Sequence, residues 1–148
     1  MSEINQLENS LVALLNSIGG RERFKLLKKI GNELKKQNRQ RIAKNIAPDG
    51  SAFEPRKKQN SIRQTAKMFK KMRQARHLKS AVNSGKVQIG FSGRDSIIAK
   101  IHQYGQIGKV NPNLGYAYPK RELLGISDQD QQIVNDMIIN HFRGALND

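Results

Sequence analysis

The chain of 148 residues is 36% hydrophobic and 5% aromatic, has neither cysteine nor tryptophan, and carries a formal charge of +15. That length fits one domain with a small aliphatic core, and the lack of cysteine excludes a disulfide framework and a thiolate zinc site, so an intracellular or redox-indifferent life is expected. The opening Met1-Ser2-Glu3-Ile4 has no basic leader and no run approaches the ~20 apolar residues of a membrane span, so neither export nor a membrane partner is expected.

The charge is concentrated in one stretch. Residues 21–79 hold 20 Lys or Arg against 4 Asp or Glu, whereas residues 80–148 hold 7 against 6. A single domain over 1–148 is therefore expected to comprise a basic helical part, 1–79, and a near-neutral part, 80–148, that combines a small sheet with helices. So basic a segment repels itself unless an anion offsets it, which points to nucleic acid or an acidic protein surface as counterpart.

Ile4, Leu7, Leu11, Leu14, Leu15 and Ile18 recur at steps of three and four, the spacing of one helical face, and Gly19-Gly20 ends the pattern. A second helix is predicted over about 21–46, with Phe24, Leu27, Ile30, Leu34, Ile42 and Ile46 as its apolar stripe and cations on the other faces. Between Leu34 and Ile42 the stripe thins, so this part is expected to stand off the core or lie against another subunit.

Pro48 bars further helix, Asp49-Gly50 suits a tight turn with a positive φ at the glycine, and Pro55 is expected to hold Arg56, Lys57 and Lys58 in extended backbone. Ser61 with Gln64 resembles a capping box that opens a helix through Arg76, with Ile62, Ala66, Phe69 and Met72 on one side. The hydrophobic period then shortens to about 2. Residues 78–83, a Ser84-Gly85 turn, and 86–91 with Val87, Ile89 and Phe91 alternating predict a β-hairpin.

Asp95 or Ser96 is suited to cap a short helix holding Ile97, Ile98 and Ile101, with Gly105 as its left-handed C-terminal residue. Residues 106–119, punctuated by Gly108, Pro112, Gly115 and Pro119, predict a long loop with one short strand at 116–118. Ser127, with Asp130 at the third helical position, opens a last helix with the stripe Ile133, Val134, Met137, Ile138, Phe142 and Leu146. The predicted class is helix-rich α+β: long basic N-terminal helices, then a small antiparallel hairpin or sheet packed with a short helix and a C-terminal helix.

Little in the chain promises catalysis. His77, His102 and His141 are widely spaced, and none has a carboxylate at helical ligand spacing, so neither a metal nor any other cofactor is expected. His102 is expected to pack beside Tyr104, and His77 and His141 to be exposed. No nucleophile elbow occurs, and Gly90-Phe91-Ser92-Gly93 lacks the Gly-Lys-Ser/Thr ending of a phosphate loop. The chain is not expected to be an enzyme.

The run Lys67, Lys70, Lys71, Arg73, Arg76 and Lys79 is either a solvated face or, with Arg56, Lys57 and Lys58, a contact for an anionic partner. Like charges at this spacing cost about 0.2–0.5 kcal/mol per pair, which favours a partner. Only Phe69 lies nearby to stack on bases, so any nucleic-acid contact is expected to be with the backbone.

Three ordered motifs carry a resemblance. They are Arg41-Ile-Ala-Lys-Asn-Ile-Ala-Pro-Asp-Gly-Ser-Ala-Phe-Glu-Pro-Arg-Lys57, His102-Gln-Tyr-Gly105 and Tyr118-Pro-Lys-Arg-Glu-Leu-Leu-Gly-Ile-Ser-Asp-Gln-Asp130. Together they resemble the phage virion morphogenesis family of tail completion proteins. The resemblance implies a structural virion protein that completes the head-proximal end of the tail and enables head-tail joining, as a homo-oligomeric, hexameric ring. Its implied partners are itself, tail tube or terminator proteins, head-neck connector proteins and packaged DNA through its backbone. Its implied location is the tail of the virion, after assembly in the host cytoplasm. Pro48, Asp49, Gly50, His102, Tyr104, Gly105, Pro119, Arg121 and Gly125 are the structural residues it singles out, with Arg121 expected to bond a carboxylate or helix end. Two other classes stay open: a basic nucleic-acid-binding accessory protein, and an assembly factor not retained in the virion.

Overall fold

The computed structural model describes residues 3–55, 68–69, 72–74, 76–111 and 114–147. Helix α1 (Glu3–Ser17) is followed at once by α2 (Gly20–Ala43), with Gly19 in extended backbone as its N-cap. Leu26, Leu27, Ile30 and Leu34 of α2 are buried with Leu11 of α1 and Ile138 of the last helix, α4 (Asp128–Asn147). Phe24, expected in this stripe, is 50% exposed. Its position, three residues before Leu27, puts it at the edge of the buried arc.

Helix α2 stops earlier than expected. Asn45 adopts φ 57, Ile46 N–H donates to Arg41 O at 2.9 Å and Asn45 N–H to Ile42 O at 3.1 Å, so the helix closes in a Schellman motif with asparagine in the left-handed place. The chain then doubles back: Ala47 N–H donates to Ser51 O, Phe53 N–H to Asn45 O, and Gly50 takes the expected positive φ of 90°.

Strands β1 (Leu78–Asn83) and β2 (Lys86–Phe91) form the expected antiparallel hairpin, in the register Leu78 opposite Phe91 through Asn83 opposite Lys86. Ser84 and Gly85, with φ 50 and 73, make its primed turn. The hairpin lies on α2 at Gly31, where an added Cβ would meet Val87 Cγ1 at 3.1 Å. Val82, Val87 and Ile89 thereby extend the α2 core.

Helix α3 (Gly93–Tyr104) starts at an extended Ser92, three residues before the nearer of the two expected caps. Asp95 and Ser96 lie inside the first turn, where Asp95 bonds His77 instead of the helix end. Gly105 ends the helix with φ 65.

The expected loop at 106–119 is instead a second antiparallel pair, β3 (Ile107–Asn111) and β4 (Leu114–Ala117). Gly108 and Gly115 occupy alternating positions and hide the period-two signal. The expected helix through Arg76 is also corrected at its described end, where none of 68–69, 72–74 and 76–77 is helical and Phe69 has φ 57. Its earlier part, with Ser61, Ile62, Gln64 and Ala66, lies outside the described residues.

A second core gathers Ile42, Ala47, Phe53, Met68, Met72, Ala99 and Leu123. Both cores draw on residues from before and after position 79, so neither charge half has a core to itself. The α+β class is as expected. No helix among the described residues is long and apolar enough to cross a membrane.

Candidate functional site

Two buried polar knots join the end of α2, the turn after it, the end of α3 and the segment leading into α4. In the first, Arg41 Nη1 donates to Asp130 Oδ2 at 2.7 Å, while Arg41 Nη2 donates to Asn38 Oδ1 and to Gly125 O, both at 2.9 Å. Gly125 N–H donates in turn to Asn38 Oδ1 at 3.0 Å. Asp130 is 1% exposed and Asn38 2%, so this part of α2 does not stand off the core; both side chains are hydrogen-bonded, while Arg41 Nε is buried without a partner among the described residues. Asp130 has a second task. Its Oδ2 accepts Ser127 N–H while Ser127 Oγ accepts Asp130 N–H, a reciprocal cap at the start of α4.

The second knot centres on Arg121, which is 5% exposed. Its Nε donates to Glu54 O at 2.7 Å, Nη2 to Pro55 O at 3.1 Å and Nη1 to His102 Nδ1 at 3.2 Å. Arg121 N–H donates to His102 O at the end of α3. Among the described residues the guanidinium thus bonds the Glu54 and Pro55 carbonyls, which successive residues present to its planar fork, and the His102 ring near the end of α3. A guanidinium only donates, so His102 accepts through Nδ1. Burial, and then the Arg121 charge, push His102 down from 6.5 to about 4.

His102 does not pack beside Tyr104. Its ring lies edge-on between Phe69, 4.8 Å away, and Tyr118, 5.0 Å away, and Tyr104 is 65% exposed. His77 and His141 are not exposed either: His77 Nδ1 bonds Asp95 Oδ2 at 2.5 Å, and His141 Nε2 lies 3.8 Å from Glu22. Gln103 adds a clamp the sequence reading missed, accepting Leu123 and Leu124 N–H on Oε1 and donating to Leu124 O.

The Pro48-Asp49-Gly50 turn sits against Gly125. Ser51 donates through both its hydroxyl and its amide to Asp49 Oδ1, and these bonds hold the carboxylate below its ordinary range. Between this turn, α2 and the start of α4 runs a groove of ≈ 760 Å³ lined by Gln37, Gln40, Lys44, Asp49, Ile126 and Gln129 among others. No histidine or cysteine lines it, and its Ser127 hydroxyl already serves the α4 cap. Among the described residues no cluster of His, Cys, Asp or Glu is disposed to hold a metal ion.

Of the cations singled out in sequence, Arg56, Lys57, Lys58, Lys67, Lys70 and Lys71 lie outside the described residues. Arg76 is exposed and bonds Gln74, while Arg73 is half-buried, its carbonyl accepting Arg39 Nε at 2.6 Å. The structure joins Pro48 to Gly125, His102 to Arg121, and Gly105 to the Lys120 backbone, leaving Tyr104 outside both knots. Pro119 is half-buried beside them in sequence.

A model of the phage virion morphogenesis family matches residues 2–143. The chain belongs to that family. It is also 28% identical to "Tail completion protein S" of Escherichia phage P2 over 149 residues, which cover 95% of this chain and 98% of the relative. No solved structure matches the chain significantly. The segments 41–57, 102–105 and 118–130 that carry the family resemblance are the ones that supply Arg41, Pro48, His102, Arg121, Gly125 and Asp130 to the two knots. In this member of the family, then, residues far apart in sequence tie one structural junction.

Proposed function

We propose that this protein completes the head-proximal end of a phage tail and enables head-tail joining, acting as a hexameric ring of identical copies. The observation that carries the reading is the similarity to a tail completion protein along almost the full length of both chains. Its partners are copies of itself, the tail tube or terminator and the head-neck connector; it resides in the virion after assembly in the host cytoplasm and works without catalysis.

A ring needs two different complementary surfaces on each copy. Besides Ile107, Leu114 and Ile126, the exposed large apolar side chains include two groups on elements built around different cores: Val12, Leu14 and Phe24 at the α1–α2 elbow, and Ile97, Ile98 and Tyr104 on α3. Ile97 and Tyr104 are seven residues apart and share a helical face. Such groups suit a head-to-tail contact between neighbours.

Light scattering and negative-stain imaging of the purified protein, alone and with tail tubes, test the reading. Rings, or caps on tube ends, are expected. A monomer in both conditions, or absence of the protein from purified virions, refutes it. Neutralising Arg56, Lys57 and Lys58 is expected to impair head-tail joining with the fold intact.

A further inference from the structure

We propose that the solvent face of α2 is a docking surface for the phosphate backbone of duplex DNA. At about 3.6 residues per turn, Arg21, Lys25, Lys28, Lys29, Lys35 and Lys36 fall within an arc of about 120°, opposite the buried stripe, along about 22 Å of helix axis. Between Lys25 and Lys36 the exposed residues are Lys25, Lys28, Lys29, Asn32 and Lys36; every apolar side chain in that stretch is buried.

The helix's own carboxylates do not neutralise this face. Glu33 Oε1 accepts Gln37 Nε2 at 3.0 Å, and Glu22 is turned to His141. Among the described residues, no carboxylate forms an ion pair with any of the six cations. The α2 face is therefore a fixed row of positive charge, held on a helix whose other side is anchored in the larger core and pinned at its C-terminal end by Arg41 and Asp130.

The composition of the row selects its partner. Protein interfaces are depleted in lysine at their centres and bind through aromatic, arginine or aliphatic anchors, none of which is exposed between Lys25 and Lys36. A phosphate backbone asks only for cations. It carries about one charge per 1.7 Å of duplex axis, so DNA lying along α2 offers more phosphates than the face has charges. Binding through such contacts is blind to sequence and steep in salt. The inference rests on the tail-completion reading only in placing DNA within reach, at the junction with the head.

The test is anisotropy of the full chain with a labelled mixed-sequence duplex between about 50 and 200 mM salt. Wild type is expected to lose affinity roughly a thousand-fold across that range. Lys25→Gln/Lys28→Gln/Lys29→Gln/Lys36→Gln is expected to reduce the log–log salt slope by about 3–4, whereas the same four positions changed to Arg keep it. A wild type that does not bind at about 50 mM salt, an unchanged slope in the glutamine variant, or preferential displacement of the DNA by polyglutamate, which would assign the face to an acidic protein, overturns the proposal. Native mass on the same samples separates the two readings. Rings without DNA binding sink only this one; DNA binding without rings or tail caps sinks only the other.

Discussion

Pro48 Cγ lies 2.6 Å, and Pro48 Cβ 2.9 Å, from the point where a Cβ on Gly125 would stand. The proline in the turn of the first family motif is thus seated directly on the backbone of the third, and only glycine leaves room for it. Gly125→Ala is expected to cost about 1–3 kcal/mol, the usual penalty of overpacking. Pro48→Ala removes the nearer atom, so the double variant should be less destabilised than the sum of the singles by at least about 0.5 kcal/mol. Urea denaturation of the three variants measures this, and strict additivity would show that the contact does not matter.

Asp130 closes both the ion pair to Arg41 and the cap of α4. Removing it leaves the Arg41 guanidinium, 14% exposed, with a missing counter-charge. Asp130→Ala is therefore expected to lose about 3–5 kcal/mol, as for other buried pairs broken on one side. That is a large part of the ~5–15 kcal/mol that holds a domain together. Asp128→Ala, on an exposed residue of the same first turn, should change stability by only about 0.3–1 kcal/mol through the helix dipole. Equal effects from the two would mean that the buried pair adds nothing.

What was legible in the sequence is local. The Ser84-Gly85 turn, the Ser127 and Asp130 cap, and the left-handed Gly105 each depend on residues within a few positions of one another, and all three form as expected. What stayed hidden depends on partners far along the chain. Arg41 looked like one more cation on a solvated helix because its carboxylate lies 89 residues away, and Asn38 bonds a backbone 87 residues away. Arg121 was expected to bond a carboxylate or helix end, but two main-chain carbonyls that no side-chain pattern announces accept from its guanidinium. Strand β3 and the start of β4, ahead of the short strand expected at 116–118, escaped for another reason: each carries a glycine that interrupts the alternation.

His102 links stability to pH. Its value is lowered from 6.5 to about 4 in the folded chain, so between these limits the unfolded state binds more protons and acid favours unfolding. The contribution is fully present above about pH 6.5, falls as pH drops, and is gone below about pH 4, amounting to no more than about 3 kcal/mol. His102→Gln should flatten that portion of the curve while retaining a hydrogen-bonding group for Arg121. Urea midpoints of wild type and variant at intervals between these two pH values decide it; parallel curves would show that His102 is not the group responsible.

The proposed ring makes a sharper demand on Ile97 and Tyr104, which are 62% and 65% exposed on one face of α3, and on Val12 and Phe24, 53% and 50% exposed at the α1–α2 elbow. If neighbours join these two surfaces head to tail, Ile97→Asp/Tyr104→Ser and Val12→Asp/Phe24→Ser should each be monomeric, with helical content unchanged, because a broken surface on every copy interrupts every contact. Mixing the two variants is the decisive step. Each then retains the surface the other lacks, so one intact contact can form between unlike copies and the chain ends there, giving a heterodimer and no larger species. Sedimentation velocity of each variant and of the equimolar mixture reads this out. A mixture that stays monomeric would remove these surfaces from the ring contact, and variants that still close into rings alone would show that the subunits join elsewhere.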